Sequence, residues 1–69
     1  MKYALQFETS VSVKHYFRSP REVYDFLSEF YSHEICANAE GWCELASVDE
    51  EYEDSKGKFD VGFTISVEE

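Results

Sequence analysis

The first fourteen residues alternate in character. Tyr3, Leu5, Phe7, Thr9, Val11 and Val13 fall on one side, and Lys2, Ala4, Gln6, Glu8, Ser10, Ser12 and Lys14 on the other. A period of two with β-branched and aromatic residues marks a half-buried strand. The run is longer than a typical strand of about 5–6 residues. A bend, a bulge or a break into two shorter strands is therefore expected near Thr9–Ser12.

The period then changes. Val23, Phe26, Leu27, Phe30 and Tyr31 recur at helical spacing and form one apolar stripe. Ser19-Pro20-Arg21-Glu22 supplies the start: a capping serine, a proline suited to the first helical position, and a glutamate able to reach back as in a capping box. The spacing predicts a helix from about Pro20 to His33, or a turn further. Gly41 is the stop signal if the helix continues through Ala37 and Ala39.

Two further segments complete the pattern. Residues 42–52 alternate without a cleanly apolar side and read as a strand with a bulge or a two-sided environment. Asp54-Ser55-Lys56-Gly57 is turn chemistry. Phe59, Val61, Phe63, Ile65 and Val67 give a second clean alternation, with Gly62 on the outward side where a close neighbour needs space. The expected fold is α+β, in the order β-α-β-β. One helix would pack on one face of a three-stranded antiparallel sheet of spatial order 2-3-1, leaving the other face open and largely polar.

Composition adds the size of the core. Sixty-nine residues make a single domain, 1–69. A domain this short buries only about 60% of the surface its unfolded chain exposes. Six Phe, five Tyr and Trp42 compensate, since aromatic side chains let few residues build a core. No apolar run is long enough to span a membrane, and no signal peptide is evident. A cytoplasmic protein with reduced thiols is expected.

Charge is the most informative feature for function. The net charge is −9, and from Glu22 through Ser55 there are eleven carboxylates and no Lys or Arg. Such a balance disfavours direct binding to nucleic acid or to an anionic membrane. It favours a basic partner, a cation, or charge that serves solubility alone. The candidate binding acids are Glu22, Asp25 and Glu29 on the helix, and Asp49, Glu50, Glu51, Glu53 and Asp54 before the last strand. Tyr24 and Tyr52 are the candidate aromatic contacts.

The other chemistries are weaker. His33, Cys36 and Cys43, with His15, are zinc-type ligands, but no second close pair exists. A Cys36–Cys43 disulfide is closable in sequence and disfavoured by a reducing compartment. Asp49, Glu51, Glu53 and Asp60 echo a calcium loop, yet Asp54 stands where that loop needs glycine. No phosphate loop, nucleophile elbow or distinctive carboxylate pair is present. No enzyme activity and no cofactor is expected.

The expected function is a small protein-binding module that docks on the basic surface of a nucleic-acid-handling protein, its acids imitating a nucleic-acid backbone. In size and charge the chain is similar to phage and plasmid anti-defence proteins, such as anti-CRISPR and anti-restriction proteins. Two alternatives belong to other classes. One is an oligomerisation module, a homodimer pairing edges or faces, with Trp42 or Tyr3 at the interface. The other is a small metal or ligand binder.

Overall fold

The computed structural model describes residues 1–9, 12–54 and 62–69. Six elements follow along the chain: β1 (Lys2–Phe7), β2 (His15–Phe17), α1 (Pro20–Leu27), α2 (His33–Leu45), β3 (Glu51–Asp54) and β4 (Phe63–Glu68). The architecture is α+β. The sheet has four strands in the order β2-β1-β4-β3, with every neighbouring pair antiparallel.

The expected 2-3-1 arrangement persists as β3-β4-β1, and β2 is the addition. It is formed by His15–Phe17, just past the N-terminal alternation and not foreseen as a strand, which runs back along β1 and pairs Leu5 with His15 and Tyr3 with Phe17. Val13 falls in the connection and is exposed rather than inward. Ser10, Val11 and the segment 55–61, with its expected turn and the start of the last alternation, lie outside the described residues.

One expected helix is two. Ser19 caps α1 as read: its hydroxyl accepts from the Glu22 N–H at 3.3 Å. The Glu22 carboxylate reaches one residue further back than a capping box requires, accepting from the Arg18 N–H at 3.0 Å. The helix ends at Leu27 because competing bonds take over. The Ser28 hydroxyl donates to the Asp25 carbonyl at 2.7 Å, and the Phe30 N–H tightens onto the Leu27 carbonyl at 2.9 Å. Serine in this role draws the backbone away from helical pairing. Ser32 then caps α2 by accepting from the Ile35 N–H at 3.5 Å.

The segment read as a strand from residue 42 is a correction. Helix α2 passes through Gly41 without stopping and continues to Leu45. Its buried stripe is Cys36, Ala39 and Cys43, a helical spacing that small residues had made inconspicuous. The expected bulge is present, but at the entry to β3. The Asp49 N–H donates to the Val67 carbonyl at 3.0 Å, and the Val67 N–H donates to the Glu50 carbonyl at 3.2 Å. Two residues thus oppose one, and Asp49 adopts φ 75°, as the first residue of such a bulge does. The Glu50 N–H also closes a turn on the Ser47 carbonyl at 3.2 Å.

Both helices cover the same sheet face. Tyr3, Leu5, Phe63, Ile65 and Val67 meet Val23, Leu27, Tyr31, Cys36, Ala39 and Cys43 in one core. Aromatics extend it toward β2, where the Phe26 ring lies 4.9 Å from His15 and 5.2 Å from Phe17. Toward β3, Trp42 lies 5.5 Å from Tyr52. Tyr3, named as a candidate for an interface, is buried in the core, and Trp42, the other, is half-buried and packs against it. Gly62 meets its expected close neighbours: a Cβ there would stand 2.6 Å from Glu8 Oε1 and 2.8 Å from the Asp54 carbonyl.

Candidate binding surface

The expected acidic residues do not form one surface. Strand side chains alternate between faces. Tyr52 turns inward to Trp42 and Phe63, so Glu51 and Glu53 point to the opposite, uncovered face of the sheet. Glu22, Asp25 and Glu29 lie on the helical layer, which covers the other face. The sheet separates the two groups.

The helical group is also partly neutralised. Arg21 lies 3.6 Å from Asp25 and 3.7 Å from Glu40, and its guanidinium stacks 4.3 Å over the Tyr24 ring. Arg21 sits just outside the basic-free stretch in sequence but in the midst of its acids in space. Tyr24 is further engaged by a hydrogen bond between its hydroxyl and His33 Nδ1. The Glu22 carboxylate is occupied with the Arg18 N–H.

The segment from Glu44 to Glu53 is different. Glu44, Asp49, Glu50, Glu51 and Glu53 are all exposed. Two exposed apolar residues lie in the same stretch of chain, Leu45 at 88% exposure and Val48 at 37%. Sequence reading missed both, because a strand over 42–52 gave them no special position. Glu50 has a structural duty, its carboxylate accepting from the Ser47 N–H at 2.6 Å. Asp54 points inward and accepts from the Tyr52 hydroxyl at 3.4 Å. Burial raises the Tyr52 pKa, and the nearby Asp54 charge raises it further. Tyr52 and Asp54 are thus half-buried and turned toward the helical side of the sheet.

Local preference does not account for Glu44. Glu44 occupies the last turn of α2, which has no basic residue, and the negative end of a helix dipole disfavours a carboxylate. Asp49 occupies a left-handed position, φ 75°, which aspartate tolerates as asparagine and glycine do.

The remaining candidates separate in space. Cys36 and Cys43 are free and buried on one helix, two turns and about 10 Å apart along its axis, which is beyond disulfide reach. Burial pushes the Cys43 thiol up to about 12, with Glu40 and Glu44 adding to the effect. Burial likewise raises the Cys36 thiol. Neither is poised as a nucleophile or ligand. His15 packs on Phe26 while His33 bonds Tyr24. No group of three or more metal-type side chains converges among the described residues. Among those residues no helix is long and apolar enough to cross a membrane. The chain matches no protein-family model, no curated protein and no solved structure.

Proposed function

We propose that this chain is a small acidic binding module whose contact surface is the Glu44–Glu53 segment, and that it docks on the basic surface of a nucleic-acid-handling protein. The observation that carries this reading is the run of exposed residues at the α2–β3 junction, Glu44, Leu45, Val48, Asp49 and Glu50, followed along the chain by Glu51 and Glu53 on the open sheet face. Carboxylates give long-range attraction to a cationic groove, and apolar side chains give contact energy once docked. The placement of Glu44 against local preference supports the same reading, since departures from local rules concentrate at functional sites.

In its concrete form the module is an inhibitor that occupies a nucleic-acid site, as an anti-defence protein of a phage or mobile element would. It acts in the cytoplasm, without cofactor, catalysis or direct contact with nucleic acid. Glu51 and Glu53 stand about 7 Å apart on one strand face, a spacing close to that of successive phosphates. Glu22 and Asp25 on α1, and Glu29 in the connection after it, play a secondary, long-range part.

The test is binding of purified protein to a basic nucleic-acid-binding target recovered from host lysate, followed at two salt concentrations. Glu51→Lys with Glu53→Lys is expected to weaken binding strongly and to reduce its salt dependence. Unchanged affinity and salt dependence in a folded double variant would remove the segment as the contact. Glu50 is left intact because its carboxylate holds the Ser47 turn.

A further inference from the structure

The uncovered sheet face has its charges sorted by strand. On the β2–β1 half, Lys2 lies 4.9 Å from the centre of the Tyr16 ring, and Lys14 crosses to within 3.5 Å of Glu68. On the β4–β3 half the charged side chains are Glu68, Glu51 and Glu53. Between them lie short polar or small residues, Gln6, Thr64, Ser66 and Ala4. Tyr16 stands 52% exposed on the face that neither α1 nor α2 covers, beside Ala4 at 2%. Glu8, past the end of β1, reaches over Gly62 at the edge of this face.

We propose that a second copy of this chain covers this face in a two-fold homodimer. Two sheets can stack with their strands nearly aligned. A two-fold axis parallel to the strands, between β1 and β4, lays each β2–β1 half over the partner's β4–β3 half. Lys2, Lys14 and Tyr16 of one copy then face Glu51 and Glu53 of the other, and the contact repeats by symmetry. Pairing by sheet edges is disfavoured. Strand β2 has three residues, while β3 carries two glutamates and enters through the Asp49–Glu50 bulge. Short, charged and bulged edges resist strand addition.

The magnitudes set the strength. The strands, of six, three, four and six residues, rise about 3.3 Å per residue and lie about 4.8 Å apart, so the face presents on the order of 300 Å². A standard interface buries about 800 Å² per partner. The net charge of −9 on each copy also opposes approach, though at physiological salt it is screened beyond about 8 Å. The dimer is accordingly weak and concentration-dependent. It covers Glu51 and Glu53, so self-association and docking on a basic partner exclude each other.

Sedimentation of the purified chain up to about 1 mM, a range suited to so small an interface, tests this. The wild type is expected to dimerise. E51K/E53K and K2E/K14E are each expected to lose about tenfold or more in dimer affinity, since each places like charges together. Mixing the two variants should restore a heterodimer, because one then presents cations across the face and the other anions. Circular dichroism confirms that each variant is folded. A wild type monomeric throughout overturns the proposal, as does a dimer indifferent to both reversals, which would place the interface at an edge or on the helices. A monomer that still binds a basic target through Glu51 and Glu53 overturns the dimer alone and leaves the proposed function standing.

Discussion

The Tyr3 hydroxyl donates to the Cys43 carbonyl at 3.1 Å, joining the first strand to the last turn of α2 across forty residues of chain. The last four carbonyls of a helix have no partner within it. Tyr3 supplies one from the sheet, inside the core, and so fixes where α2 ends relative to β1. Burial raises the Tyr3 pKa, and Cys43 adds to that, which keeps the hydroxyl a donor.

Tyr3→Phe removes that donor and leaves a buried carbonyl unpaired. The expected loss is about 1–2 kcal/mol. In a domain of this size each kcal/mol lowers the midpoint by about 4–8 °C. Thermal unfolding followed by circular dichroism measures it. A midpoint equal to that of the wild type would show the bond to be worth nothing.

Gly41→Ala is expected to stabilise. Gly41 lies inside α2 with nothing within 4 Å of the position a Cβ would take. Alanine gains about 0.5–1 kcal/mol over glycine in a helix interior. Gly62→Ala should do the opposite by about 1–3 kcal/mol, because the Asp54 backbone carbonyl would lie 2.8 Å from the new carbon. Urea denaturation of the two variants should move the midpoint in opposite directions.

Asp49→Gly should stabilise modestly, by up to about 1 kcal/mol, since φ 75° carries a penalty for any side chain. The same change removes a charge from the proposed contact surface. Greater stability combined with weaker partner binding is the expected pair of outcomes. Undiminished binding would take Asp49 out of the surface.

Stability should fall in alkali. The unfolded Cys43 thiol ionises near its ordinary value of 9.0, whereas burial holds the folded one protonated up to about 12. Over that window the unfolded state binds fewer protons, so stability is full below about pH 9 and declines toward pH 12. The slope from this group alone is about 1.4 kcal/mol per pH unit. Cys36, Tyr3, Tyr31 and Tyr52 are raised too and act with the same sign. Denaturation at several pH values reads the trend, and Cys43→Ala should flatten it. In native protein near neutral pH both thiols should resist alkylation and react only on unfolding.

Much of this architecture is legible along the chain, and the reason is periodicity. The alternation of Tyr3, Leu5 and Phe7 and of Phe63, Ile65 and Val67 assigns β1 and β4, because a strand with one buried face has no other way to order its residues. Ser19 and Pro20 fix the start of α1 by local hydrogen bonding and a preset φ. Gly62 announces a close approach, and Glu8 and Asp54 provide it.

The rest required contacts distant in sequence. Helix α2 ends at Leu45 with Tyr3 bonded to its last turn and Trp42 seated on Tyr52, neither of which the residues around 42 encode. The stretch without Lys or Arg also changes meaning in three dimensions. Arg21 folds into its helical part, and the sheet divides that part from Glu51 and Glu53. The sequence by itself determined how much charge the protein carries and which residues must be buried, because hydrophobic burial and local capping act over a few residues. Only the tertiary structure decided which acids stand together and which cations meet them, because charges interact through space rather than along the chain.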